Sequence, residues 1–236
     1  MKIVSTFAVA SEFAPWRRMR AFHRVDVDQT PVYAARLGSN VIYAVITGIG
    51  MRNIDGRFER LLSDADVCIA SGLAGGLRPT HRTGAVLVAR SVTTSASENA
   101  IATDERLVEL GVRCGATPVD AFRSVHAILT SSPAKQRLSS CADAVDIESF
   151  NVIQHAEQYG VPAVAIRAIS DSVEKDVPLD FNQTMDDRGG IRWSSAIMQL
   201  AKTPQRLPEL IQFGRDSLRA ARNLAGILDC CVTEMI

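Results

Sequence analysis

Val145-Asp146-Ile147-Glu148-Ser149, followed about twenty residues later by Arg167-Ala168-Ile169-Ser170-Asp171, is the pair of stretches that decides the fold. The first reads as a strand end turning into a helix. The second reads as the end of the next strand, with an apolar helix and loop between them, 150–165. Two parallel strands joined by a helix bring their carboxyl ends side by side, and ligands of open α/β sheets bind at those ends. The spacing therefore predicts that Glu148, Arg167 and Asp171 meet in one crevice. Two carboxylates and a guanidinium around a pocket are suited to glycosidic chemistry.

Around these blocks the chain alternates strand-like and helical segments. Strands are expected at 3–10, 32–35, 40–47, 67–70, 84–92, 124–130, 144–146 and 163–169. Several are Val/Ile/Ala runs without polar alternation, as in strands covered on both faces. Helical spacing is found at 54–62, 104–110, 150–159, 191–201 and 204–228, and Ser132 before Pro133 offers a further helix start. The alternation predicts an α/β fold, a three-layer α/β/α sandwich around a mixed, mainly parallel twisted sheet, with extra C-terminal helices. No repeat or linker divides the chain, so 1–236 is expected to form a single domain. The polar stretch 173–190 is long enough for a lid or binding loop.

Composition narrows the partners. The 236 residues carry 26 basic and 26 acidic side chains, and 47% are hydrophobic, which gives no global pull toward nucleic acid. Five cysteines without a CxxC spacing read as reduced thiols in a cytoplasmic protein. His23, His81, His126 and His155 lie too far apart in sequence for metal-ligand spacing, so neither metal nor cofactor is expected. Residues 1–11 have some of the letters of a short signal peptide, but a buried first strand explains them better. No apolar run approaches the roughly 18–20 residues of a membrane span.

Three smaller motifs surround the central pair. Ser71-Gly72-Leu73-Ala74-Gly75-Gly76-Leu77 follows the fourth strand-like run, where glycines let the backbone approach a ligand. Thr47-Gly48-Ile49-Gly50-Met51-Arg52-Asn53 nearly spells a dinucleotide fingerprint. Asn53 occupies the place of the third small residue and no acid stands on a second strand end, so a nicotinamide site is not expected. Gly50 and Arg52 remain a candidate phosphate site at a helix start. Glu12 follows the first strand and can enter the same crevice. Arg167, inside an apolar strand, requires a carboxylate partner, which Glu12 or Glu148 can supply.

Together these blocks resemble the nucleoside phosphorylase/nucleosidase superfamily, most closely the methylthioadenosine/S-adenosylhomocysteine nucleosidases and the hopanoid-associated enzymes that act on adenosylhopane. The resemblance covers most of the chain. It rests on Glu12, on Gly48 and Gly50, on Gly72 to Leu77 with the following 83–88, and above all on the two tandem blocks around Glu148 and Asp171. It implies that Asp171 hydrogen-bonds or protonates the departing purine. Glu12 would orient the attacking water, with Arg167 beside it. Glu148 would hold the ribose hydroxyls, with Ile147 packed on the sugar. Gly72, Leu73, Ala74 and Gly75 would line the substrate site, and Phe181 would pack near the 5′ substituent. The segment 204–208 and the helix after it resemble the hopanoid-associated branch.

Breaking a ribose–purine bond builds positive charge on the sugar and negative charge on the base, which an anion and an acid respectively stabilise. Family phosphorylases anchor phosphate with a glycine and an arginine after the first strand. Here Ser11-Glu12 stands there, and a carboxylate repels phosphate. The expectation is a purine-nucleoside N-ribosyl hydrolase that releases adenine from a 5′-substituted adenosine, with water rather than phosphate as nucleophile. The alternatives are a phosphorylase on the same fold and a non-catalytic nucleoside-binding relative. The resemblance also implies a homo-oligomer. Arg215, Arg219 and Arg222, spaced along one helix, offer a surface for peripheral contact with membrane lipid.

Overall fold

The computed structural model describes residues 1–27, 30–51, 56–94, 97–184, 186 and 192–235. Ten strands form one mixed sheet: β1 Lys2–Phe7, β2 His23–Val27, β3 Thr30–Leu37, β4 Asn40–Ile46, β5 Val67–Gly76, β6 Val86–Thr94, β7 Ser97–Ala102, β8 Thr117–Ser124, β9 Ala144–Asp146 and β10 Ala163–Asp171. The helices are α1 Ala10–Met19, α2 Arg57–Leu62, α3 Glu105–Arg113, α4 Ser132–Leu138, α5 Ser149–Gln158, α6 Phe181–Thr184, α7 Trp193–Lys202 and α8 Leu207–Glu234.

The centre of the sheet is parallel, in the order β4-β1-β5-β10. Strand β5 is the hub. Its first half pairs with β1, its far edge with β10, and its last two residues with β9. Because β10 also pairs with β6, and β6 with β8 and β8 with β9, the pairings close a ring around the carboxyl end of β5. Two apolar clusters cover the faces. One is built around Phe7, Phe13, Trp16 and the C-terminal half of α8, the other around α2, α5 and the opposite side of β5 and β10.

Several expectations are corrected. Strands β9 and β10 are not parallel neighbours: β9 runs antiparallel to β5 while β10 runs parallel to it. They converge because both meet the end of β5, with Val145 and Asp171 registered on either side of Gly75. The glycine cluster does not follow β5 but completes it, since its small residues can sit in a strand flanked closely by two others. The run expected at 124–130 overlaps a strand at Ser124 alone: β8 precedes it, over Thr117–Ser124, and the Ser124 hydroxyl donates to Asp146 at its end. Glu12, expected just after the first strand, lies in the first turn of α1. Cys114 and Cys230 are not reduced thiols but a disulfide with a Cα–Cα distance of 5.7 Å. Their separation of 116 residues leaves no trace in local spacing. Cys68, Cys141 and Cys231 are free. No helix among the described residues is long and apolar enough to cross a membrane.

Candidate active site

A cavity of about 650 Å³ opens at the carboxyl end of β5 and β10. Ser11 and Glu12 of α1, Leu73 to Gly75 of β5, Val145 to Glu148 at the end of β9 and just beyond it, and Ser170 with Asp171 line one half. The other half is apolar: Ile128, Leu129, Val177, Leu179, Phe181 and the α8 side chains Leu210, Phe213 and Leu218. Phe181 packs on Phe213 with ring centroids 5.7 Å apart. Asn182 joins the walls through two hydrogen bonds to the backbone of Ile128, at 2.8 and 2.9 Å.

Of the residues singled out in the sequence, Glu12, Leu73, Ala74, Gly75, Ile147, Glu148, Asp171 and Phe181 all face this cavity. Arg167 does not. Its side chain is 1% exposed and lies behind the carboxylates. Its Nε is 2.9 Å from Asp146 Oδ2 and 3.0 Å from the Ser149 hydroxyl, and its Nη2 is 3.5 Å from Glu148 Oε2. The partner the strand position demanded is therefore Asp146 first. Sequence reading missed it because Asp146 looked only like a strand terminus.

Glu12 is held by three backbone amides, from Ala8 at 3.0 Å, Val9 at 3.4 Å and Leu73 at 3.1 Å. Burial raises its pKa, opposed by the Arg167 guanidinium and those amides. Glu148 is pushed up to about 7, chiefly by burial, with the charge of Arg167 opposing and those of Asp146 and Glu12 adding. Burial alone would lower the pKa of Arg167, but Asp146, Glu148 and Glu12 outweigh it and raise it. Gly50 adopts φ 71° in a 3₁₀ turn, Ile49–Met51, and its amide donates to Glu148 Oε1 at 3.0 Å. That amide is thus engaged by a carboxylate instead of standing open to phosphate. Arg52 lies outside the described residues.

Gly72 is not in the lining, and its place is nevertheless constrained. Its φ is 142°, and an added Cβ would collide with Arg167 Nη1 and lie 3.0 Å from Glu12 Oε2. Gly72→Ala is expected to cost about 1–3 kcal/mol and to displace both charges. Thermal melts together with turnover check this, and an alanine variant with the parent's midpoint would contradict it.

A second residue went unrecognised. Lys135 of α4 is fully buried, and its Nζ is 2.7 Å from Asp171 Oδ2. The signal was present in Pro133-Ala134-Lys135, a lysine early in a helix beside apolar strand ends, but a lone helical lysine ordinarily reaches solvent.

The sequence pattern of the phosphorylase superfamily matches residues 11–202. The chain belongs to the phosphorylase superfamily. No curated protein sequence matches it. Among solved structures it is similar to 5′-methylthioadenosine/S-adenosylhomocysteine nucleosidase of Neisseria meningitidis in complex with methylthio-immucillin-A (20% identity, TM-score 0.73, 99% of each chain covered). It is also similar to the Helicobacter pylori enzyme of that name with butyl-thio-DADMe-Immucillin-A (18%, TM-score 0.73, 99% and 98%). The native futalosine hydrolase of Helicobacter pylori matches as well (18%, TM-score 0.72, 99% and 98%). At these identities the likeness carries the fold.

In this superfamily member the acidic cluster makes stability depend on pH. Unfolded, Glu148 titrates near 4.5; folded, at about 7. Between those values the native state holds the proton more tightly. The stabilisation is complete below the unfolded value and is lost as pH rises through the folded one. Its size for this residue is on the order of 3 kcal/mol. Denaturation midpoints should therefore fall between about pH 5 and pH 8, and Glu148→Gln should flatten the fall. Equal midpoints at both pH values in the parent would contradict it.

Proposed function

We propose that the protein is a purine-nucleoside N-ribosyl hydrolase that releases adenine from an adenosine carrying a large apolar 5′ group. The observation that carries the reading is the polarity of the cavity. Its ionisable lining among the described residues is Glu12, Asp146, Glu148 and Asp171, all acidic, without a lysine, arginine or histidine. Such a site stabilises a sugar that becomes positive and repels a phosphate dianion, which favours water as nucleophile. Two arginines that could have served phosphate are engaged elsewhere: Arg78 is 2.8 Å from Asp143, and Arg90 pairs with Glu105. The names of the similar structures, nucleosidase and hydrolase, agree with this choice.

In this reading Glu12 takes a proton from water, Glu148 holds the ribose hydroxyls, Ile147 packs on the sugar, and Asp171 meets the departing purine. Leu73, Ala74 and Gly75 form the floor. The apolar half around Phe181 and Phe213 takes the 5′ group, and adenosylhopane has the required character. Adenine release from adenosine, methylthioadenosine and adenosylhopane tests the assignment. The expected order of kcat/KM rises with apolar 5′ size, since each buried methylene contributes about 0.8 kcal/mol. A preference for unsubstituted adenosine would overturn the choice of substrate.

A lipid-like substrate suggests contact with a bilayer. Leu207, Ile211 and Leu218 lie along one face of α8 and are 45%, 48% and 40% exposed. Leu218 also lines the cavity, so this face runs from the interior to the surface. Arg215 and Arg222 are exposed on the same helix, whereas Arg219 is turned to Asp216 and the Thr83 carbonyl. Sedimentation with anionic vesicles, weakened by salt and by Ile211→Glu, is the expected result. A dimer in solution that buries Ile211, with no vesicle binding, would assign this face to a second copy of the chain instead.

A further inference from the structure

We propose that Lys135 is a positioning residue of the candidate catalytic site: it holds the Asp171 carboxylate at the angle from which it meets the departing base, and ties that angle to the segment covering the substrate. The inference rests on the nucleosidase reading and adds a residue to it.

The geometry is specific. Lys135 is 0% exposed and ranks among the largest fully buried side chains. A buried ammonium requires acceptors for all three N–H groups, and it has three: Asp171 Oδ2 at 2.7 Å, the Ser172 carbonyl at 2.6 Å and the Lys175 carbonyl at 2.6 Å. The other Asp171 oxygen accepts the Ser170 hydroxyl at 2.7 Å. The carboxylate is thus fixed at both oxygens, and Gly75 leaves room for it, since a Cβ added there would lie 3.3 Å from Oδ2. Lys135 does not line the cavity, so it acts on substrate only through Asp171. Its two carbonyl partners open the segment that continues to Val177, Leu179 and Phe181, the apolar wall. The same segment is fastened at Val177, whose amide donates to the Thr130 carbonyl at 2.7 Å. One ammonium therefore sets the orientation of the group at the leaving base and the anchorage of the apolar wall that takes the 5′ group.

A merely structural lysine would affect activity only by loosening the fold. A positioning residue acts through its partner, so its removal should be non-additive with removal of that partner. The test is a cycle of the parent, Lys135→Met, Asp171→Asn and the double variant, with adenine release measured below each melting midpoint. The expected result is a loss of kcat of about 10²-fold in Lys135→Met, with KM within about threefold, and no further loss when Lys135→Met is added to Asp171→Asn. Independent, multiplicative losses would overturn the proposal, as would a Lys135→Met protein with the parent's kcat. Should methionine prevent folding, Lys135→Ala with added ethylammonium replaces it. Regained activity with the ammonium ion and not with neutral propanol supports the role of the charge, and equal effects of the two contradict it. Adenine binding by calorimetry runs the same cycle without turnover. A parent that binds adenine but releases none would remove the nucleosidase reading alone, whereas a parent that releases adenine beside a folded Lys135→Met protein of equal kcat would remove this one.

Discussion

Replacing Glu12 by glutamine should lower kcat for purine release by about 10²–10⁴-fold, the usual contribution of a positioned general base, and change KM little. Glutamine has nearly the same shape and cannot take a proton from water. Glu12 is suited to that task because burial raises its pKa toward the working range of a base, while the amides of Ala8, Val9 and Leu73 and the charge of Arg167 keep the rise in check. The substitution also sets an amide N–H₂ against backbone N–H donors, since Oε2 accepts from Ala8 and Oε1 from Leu73. A stability loss of about 1–3 kcal/mol should accompany the kinetic one. Single-turnover rates measured well below the melting midpoint separate the two. A kcat within tenfold of the parent under those conditions would remove Glu12 from the chemistry.

Arg167→Met should be the most destabilising single change at the site. It leaves Asp146, Glu148 and Glu12 buried together without their common cation, and breaking a buried pair in this way costs about 3–5 kcal/mol. The loss should grow as pH rises from about 5 to 8, because the carboxylates that the guanidinium shields then have to ionise beside one another. At the acid end, protonated Glu148 relieves part of the repulsion. Denaturant melts at the two pH values check both the size and the sign. A loss below about 1 kcal/mol at pH 8, or a larger loss at the acid end, would show that the three acids do not depend on Arg167.

Much of this site was legible in the chain because a few residue types were out of place. An arginine inside Ala163-Val164-Ala165-Ile166-Arg167 has no apolar explanation, and it led to the acids around it. Glu148 and Asp171 were placed together correctly although β9 and β10 were taken for parallel neighbours. What brings them together is the closing of the sheet around the end of β5, a long-range pairing that leaves no local periodicity. Strand β7 was missed because its short polar sequence, Ser97-Glu98-Asn99-Ala100-Ile101-Ala102, pairs among the described residues with β6 alone. Strand β2, His23-Arg24-Val25-Asp26-Val27, pairs among the described residues only with β3, and with one partner little apolar surface is required. Lys135 and the Cys114–Cys230 bridge were passed over for a related reason. Each depends on which distant segment lies opposite, and the residue type alone favours solvent for a lysine and a free thiol for a cysteine.

The phosphate requirement of adenine release tests the acidic cavity most directly. Purified protein is freed of phosphate, given methylthioadenosine or adenosylhopane, and assayed for adenine and for the sugar product with and without added phosphate. Equal rates, with free sugar as the product in both, are predicted. A rate that rises with phosphate, together with a sugar 1-phosphate product, would mean that this cavity accepts the anion its carboxylates are expected to repel.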